Sequence, residues 1–362
     1  MKVTVIGGGN GCFAAVADFV EAGHETRWWR RNGAEADADK ITLIDHKGTR
    51  DVPARATDDL AAAVAGADLI VIPTPATTQE DIARRLAEHL TDGQVIYLPP
   101  GTFGSVRMAQ IIRDAGNDAD ISIAETGTLP WLARKQGPAS VRVSTRASRL
   151  PTGVYPARNT DHALAVIEEA FPDAIERSED ALSGALMNAG PIIHPPLILM
   201  NAGPIEHFDR WDIHNEGTQP SVRRVHDALD AERVALREKL GYGAPHFPLK
   251  DHYETSNWMY GNLAHDKLVD SGDWHEKLNF EDHRYLTEDI AYGLAFLVSV
   301  ADWAGVDVPV ARGLLSLASA VSGKDLRNGP RTLEAMGLHG LTPAEMTSLL
   351  QDGLPARAEA VS

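Results

Sequence analysis

Met1-Lys2-Val3-Thr4-Val5-Ile6-Gly7-Gly8-Gly9-Asn10-Gly11-Cys12 opens the chain and decides how its first half folds. The β-branched apolar run stops at three glycines, and Phe13 to Val20 continues as a helix. Strand, glycine turn and helix in that order begin a dinucleotide-binding βαβ unit. Glycines let the backbone turn tightly and approach a pyrophosphate. The helix N-terminus adds free N–H groups and the positive end of its dipole. Gly7 and Gly9 fill the first two positions of the G-x-G-x-x-G pattern. Cys12 takes the third, where its small thiol still lets helix pack on strand. Gly7, Gly9, Asn10 and Gly11 are the expected cofactor-binding residues of this turn.

The second strand follows the first helix, at Gly23-His24-Glu25-Thr26-Arg27-Trp28-Trp29-Arg30-Arg31. A site that prefers NAD carries an acidic residue at this strand end for the ribose 2′-hydroxyl. Here the strand ends in two arginines, whose guanidinium forks suit a 2′-phosphate. Arg30 and Arg31 therefore predict NADP(H), with NAD the less favoured cofactor. The other reading of the pair is a solvated basic strand end.

Further strands follow at Asp68 to Ile72, Gln94 to Leu98 and Ile121 to Ala124, with helices at Leu60 to Ala65, Gln79 to Leu90 and Val106 to Ala115. Thr49 to Val52 reads as a hairpin arm. Ligands of open α/β sheets sit outside the carboxyl ends of the strands. Pro73 and Thr74, Pro100 and Gly101, and Thr126 stand at such ends and are expected at the crevice. Turn chemistry alone explains any one of these clusters equally well. A helix over Asp161 to Phe171 leads to a change of pattern near Leu182. Beyond it, Ser221–Leu240, Tyr285–Ala304, Pro309–Val321 and Pro343–Leu350 carry helical apolar spacing, with no clear strand. The expectation is an α/β, Rossmann-type doubly wound sheet over 1–180 followed by an all-α domain over 181–362. Hydride-transfer enzymes often pair two such domains, with the site in the cleft between them.

Composition narrows the class. The chain has 362 residues, 43% hydrophobic and 23% charged, with ample length for two cores. A formal charge of −17 argues against nucleic acid and anionic membrane surfaces as partners, so anionic ligands need local arginines. One cysteine excludes an internal disulfide and a CxxC metal site. The 14 histidines include no HExxH, and no metal site is expected. His246 and His252 flank a proline-rich loop and are expected to face solvent. No apolar run reaches membrane-spanning length. With the cofactor strand beginning at Lys2, no signal peptide is expected and the predicted location is cytoplasmic. The helical half offers an apolar face for a homodimer.

Candidate chemistry lies in the second half. Asn188-Ala189-Gly190-Pro191-Ile192-Ile193-His194-Pro195-Pro196 sets a histidine in an apolar, proline-broken stretch. Met187 to Ile192 recurs as Met200 to Ile205, and each copy leads to a histidine, His194 and His207. On one helix that offset puts the two on roughly opposite faces, so at most one meets a given pocket. Arg284-Tyr285-Leu286-Thr287-Glu288-Asp289 begins an amphipathic helix. There Asp289 is either a dipole partner or a functional acid. In Gly329-Pro330-Arg331-Thr332-Leu333-Glu334 an arginine precedes a helix. Trp211, Trp258, Tyr260 and Trp274 suit either the walls of a pocket for a bulky apolar partner or core packing.

Taken together, these stretches resemble the opine dehydrogenases, the octopine/nopaline family, over nearly the whole chain. The resemblance rests on the opening GGGNG, on PGTFGS and AET, and on Asn188 to Pro195. Arg284 to Asp289 is the most specific part, backed by Arg331 to Glu334 and by Gly337-Leu338 to Gly340-Leu341. It implies a histidine–aspartate dyad for acid/base work, carried onto His194 and Asp289. It also implies an arginine for the substrate carboxylate, carried onto Arg284, with Asn188 and Thr126 as further substrate contacts. The implied activity is condensation of an amino acid or amine with a 2-oxo acid and NADPH-driven reduction of the C=N bond. Cys12 and the Arg30-Arg31 pair depart from the NAD-using members. His207 lacks the following proline and is the rival for the dyad. Two other functions stay open. One is a ketopantoate or 2-oxo acid carbonyl reductase, which leans on a lysine absent from Asn188 to Pro195; the other is an NADP-binding protein without turnover.

Overall fold

The computed structural model describes residues 1–32, 39–261 and 264–355. Its first strand, β1 (Lys2–Ile6), is buried from Val3 onward and lies inside an eight-stranded sheet. In chain order the next strands are β2 (Glu25–Trp29), β3 (Lys40–Asp45), β4 (Gly48–Pro53), β5 (Ala56–Thr57), β6 (Leu69–Val71), β7 (Val95–Leu98) and β8 (Ser122–Thr126). Then come β9 (Trp131–Gly137), β10 (Ser140–Arg146), β11 (Leu150–Tyr155) and β12 (Ile175–Arg177). The large sheet runs β12-β11-β8-β7-β6-β1-β2-β5, parallel except where β11 meets β8. Strands β6, β7 and β8 are buried at every residue because helices cover both faces. Those helices are α1 (Asn10–Glu21), α2 (Leu60–Val64), α3 (Ala76–Leu86), α4 (Gly104–Asp114) and α5 (Thr160–Ala170). Strand β1 pairs with β2 on one side and β6 on the other, so the order reverses there and opens a crevice at the strand ends.

A second sheet, β4-β3-β10-β9, lies over α1. The Thr49–Val52 arm is its outer strand, antiparallel to β3. Strands β9 and β10 carry Trp131, Ala133, Val141 and Val143 inward against α1, with arginines and a lysine between them. The charged residues belong to the outward half of a half-buried alternation.

From Ala181 the chain is helical, apart from the two-residue strands β13 (Trp211–Asp212) and β14 (His275–Glu276), which pair. The helices are α6 (Ala181–Ala185), α7 (Gly190–Met200), α8 (Ala202–His207), α9 (Pro220–Lys239), α10 (Lys250–Glu254) and α11 (Ala264–Asp270). A π-helical segment, Tyr285–Leu294, runs into α12 (Ala295–Ala304), followed by α13 (Pro309–Ser322) and α14 (Pro343–Asp352). Helix α7 packs directly on the π segment. Two glycines permit that approach: a Cβ on Gly190 would collide with the Asp289 carboxylate, and one on Gly293 with Pro191. Arg331 precedes turns rather than the expected helix, and its side chain is fully buried.

Candidate active site

A cleft of about 370 Å³ lies where the strand ends of the large sheet meet the helical half. Gly9, Asn10, Gly11, Pro73, Thr74 and Pro100 line one end; His194, Arg284 and Asp289 line the other.

At the first end, Gly7 has φ +119, and a Cβ there would come within 2.5 Å of Thr74 Cγ2 and 2.8 Å of Cys12 Sγ. Gly7 therefore shapes the turn from beneath and does not line the cleft. A Cβ on Gly11 would meet Leu129 Cδ1 at 2.8 Å, whereas one on Gly9 has nothing within 4 Å. No side chain caps α1, and the first helical N–H bonds, from Cys12 and Phe13, go to the Gly9 carbonyl. An open, side-chain-free helix start beside a cleft fits a dinucleotide pyrophosphate. The Cys12 thiol is buried, and burial pushes its pKa up to about 12, so it packs as a neutral group. Arg30 lies against Gly8, its guanidinium carbon 5.2 Å from the Trp28 ring and 5.7 Å from that of Phe13. Arg31 turns the other way and donates to Asp81 of α3 at 2.6 Å.

At the second end, His194 Nδ1 is 2.8 Å from Asp289 Oδ2. Both are largely buried, and no described residue bonds to His194 Nε2. Burial, then the nearby Arg284 charge, pulls the His194 pKa well below its ordinary value. Burial pushes the Asp289 carboxyl up to about 6, against the opposing pull of Arg284 and His283. Arg284 stands more than half exposed to the cleft, its Nε 3.6 Å from Glu288 Oε2. Asn188 lines the cleft but spends its amide inside the protein, donating to Thr102 Oγ1 at 2.8 Å and accepting from Gly190 N–H at 3.0 Å. It holds the turn that starts α7.

Comparison with known proteins gives this arrangement its context. The model for the NAD/NADP octopine/nopaline dehydrogenase α-helical domain matches residues 177–322, and that for the N-terminus of NAD-dependent glycerol-3-phosphate dehydrogenase matches residues 2–122. An opine dehydrogenase from Arthrobacter sp. (strain 1C) is 29% identical over 96% of this chain and 98% of its own. Over nearly its whole length the chain is similar to the opine dehydrogenases. An octopine dehydrogenase solved with NADH and agmatine shares the fold at TM-score 0.71, with 20% identity over 99% of this chain and 100% of that one. A yersinopine dehydrogenase with NADP+ bound does so at TM-score 0.64, with 14% identity over 98% of each chain. That similarity indicates an oxidoreductase that uses a nicotinamide dinucleotide and acts on CH–NH donors.

Several residues expected at the site lie elsewhere in the fold. Thr126 is fully buried in β8 and donates to the Pro151 carbonyl at 2.8 Å, so it does not reach the cleft; Gly127 and Thr128, just beyond the strand, do. Gly101 is buried against the Glu125 carboxylate and is absent from the cleft wall. His207 and His194 do not share a helix, because α7 ends at Met200, and His207 is exposed at the end of α8. His252 is buried and lines the cleft, and His246 is part-buried with its Nδ1 accepting from Arg237. Trp258, Tyr260 and Trp274 line the cleft. Trp211 instead stacks on Phe208 at 5.7 Å and donates to Asn201.

Glu288 was legible only as a first-turn acid. In the fold its Oε1 accepts the Ala76 N–H at 2.9 Å, the first amide of α3. Arg331 donates to Gln79 at 2.8 Å and to the Ala76 carbonyl at 3.4 Å. The helical half thus grips both backbone groups of Ala76, just after Pro73 and Thr74. Spacing in sequence carries no sign of a contact between positions so far apart.

Proposed function

We propose that the chain catalyses NADPH-preferring reductive condensation of an amino acid or amine with a 2-oxo acid, with His194 and Asp289 as the acid/base dyad. The observation that carries this reading is the 2.8 Å pair of His194 Nδ1 and Asp289 Oδ2 in a cleft shared with an uncapped glycine turn. The reduced nicotinamide, when bound, supplies the hydride that the C=N carbon receives. Gly9, Asn10 and Gly11 would hold its pyrophosphate, and Arg30 a 2′-phosphate, beside the crevice between β1 and β6.

The chain's own residues handle protons and position. Asp289 fixes the Nδ1–H tautomer, which leaves His194 Nε2 toward the cleft. Protonated there, it gives a proton to the carbonyl oxygen as the amine adds, and a proton shed by the amine nitrogen, relayed through the same imidazole, completes the departing water and leaves the protonated C=N bond. Arg284 grips the 2-oxo acid carboxylate with its planar fork. That contact also tunes the acid: the Arg284 charge opposes a proton on His194, and a bound carboxylate cancels that charge. Substrate binding therefore raises the proton affinity of the histidine when it is needed. The imidazoles and indoles at the far end of the cleft favour an amine with an apolar or flat side chain. The domain division at residue 180 belongs to the same reading.

The test incubates the protein with NADPH or NADH, pyruvate or glyoxylate, and a panel of amino acids, with mass spectrometry of the product. Amine-dependent oxidation of NADPH and a secondary amine dicarboxylate are expected. Oxidation with the 2-oxo acid alone, yielding a hydroxy acid, would replace this reading with a carbonyl reductase.

A further inference from the structure

Burial and the Arg284 charge both work against a proton on His194, yet the chemistry proposed above needs that proton. The groups facing the imidazole are Asp289, Arg284 and His283 of the π segment and its start, His214 ahead of α9, and His226 on α9. Among these described groups only the Asp289 carboxylate, 2.8 Å from Nδ1, favours the imidazolium, and burial pushes that carboxyl up to about 6.

The Tyr285 ring lies face to face on the His194 ring, centroids 3.6 Å apart and planes 6° from parallel. Neutral aromatic pairs avoid this sandwich, because their π faces repel, and adopt offset or edge-on arrangements with larger spacing. A cation over a π face is attracted by the same quadrupole. The tyrosine is also held rigidly. Its hydroxyl is 2.6 Å from His214 Nε2, His283 stands edge-on to its ring at 4.3 Å, and His214 is edge-on to Trp274 at 4.9 Å. Burial pushes the Tyr285 hydroxyl's pKa up, so it remains a phenol able to donate to His214. Tyr285 and Asp289 are four residues apart on the one π-helical segment. That segment therefore meets His194 twice, in the ring plane and on the ring face. π-Helical turns recur at functional sites for such side-chain placement.

We propose that Tyr285 is a positioning residue whose π face, independently of its hydroxyl, stabilises the imidazolium form of His194. The claim rests on the dyad reading above, so it needs one readout that requires no turnover. Tyr285→Phe keeps the face and loses the hydroxyl; Tyr285→Leu loses the face. Two measurements are made on the full chain: kcat against pH in the condensation direction, and the His194 titration by NMR of labelled histidine, identified with His194→Gln. A cation–π contact of ordinary strength corresponds to a shift of about 1 pH unit. In Tyr285→Leu the NMR pKa and the apparent pKa of kcat both fall by about that much. The rate then drops about tenfold above the pKa and recovers toward wild type below it. Tyr285→Phe stays within about 0.3 unit by the same measure. An unchanged His194 titration in Tyr285→Leu overturns the proposal, as does an equal shift in Tyr285→Phe, which would assign the effect to the hydroxyl. If the shift appears but no amine is ever condensed, the tyrosine claim stands and the assigned reaction falls.

Discussion

Asp289→Asn keeps the shape of the side chain and removes its charge 2.8 Å from His194 Nδ1. At pH 7 the carboxyl, pushed up to about 6, is mostly ionised, so the charge is there to lose. Unit charges about 4 Å apart at an effective dielectric of about 20 interact by about 4 kcal/mol, or about 3 pH units of proton affinity. His194 is already pulled below its ordinary value by burial and Arg284. The variant lowers it further, and its amide can also hold the wrong tautomer. The condensation direction needs the protonated histidine, so its kcat falls as pH rises through the His194 pKa. Oxidative cleavage needs the base form and runs the other way. The expected result is a loss of about 10²–10³ in condensation kcat at pH 7, within the usual worth of general acid catalysis. It is read from NADPH absorbance at saturating pyruvate and amino acid. NADPH affinity stays unchanged, because the glycine turn is at the other end of the cleft. A kcat within about fivefold of wild type would show that the pair is a buried packing contact, since a working acid is worth at least about 10².

Other outcomes follow from the same contacts. Arg30→Ala is expected to lower the NADPH-to-NADH affinity ratio by about 10–100-fold, the worth of a charge-assisted phosphate contact, by fluorescence titration; an unchanged ratio removes Arg30 from cofactor choice. Gly11→Val pushes against Leu129 and Pro73 and should weaken cofactor binding at least about tenfold and cost about 1–3 kcal/mol of stability. Cofactor titration and thermal melts check both, and wild-type affinity would mean that the turn does not carry the cofactor. Thr126→Val should cost about 1 kcal/mol through the lost bond to Pro151 and leave both substrate KM values alone. A large rise in KM would return Thr126 to the site. His207→Ala, at an exposed position, should match wild type in rate, and a rate loss like that of Asp289→Asn would revive the rival histidine.

Local chemistry was enough for much of this protein. A β-branched run against glycines must turn, and a turn into a helix exposes amides, so the cofactor end was readable from Met1 to Cys12. The outward arginines of β9 and β10 hid a second sheet, because a half-buried strand with charged alternates looks like a loop. His194, Asp289 and Arg284 were assigned their roles through a family resemblance; spacing alone did not choose between His194 and His207. Tertiary structure separated them by ending α7 at Met200 and bringing the π segment against its first turns. It also withdrew Thr126 and Gly101 from the cleft, and added Tyr285 and Glu288. The physical reason is common to all of these. Backbone preference is set by near neighbours and is written in sequence, whereas the field and packing around a side chain come from segments about a hundred residues away, whose contacts exist only once the core has closed.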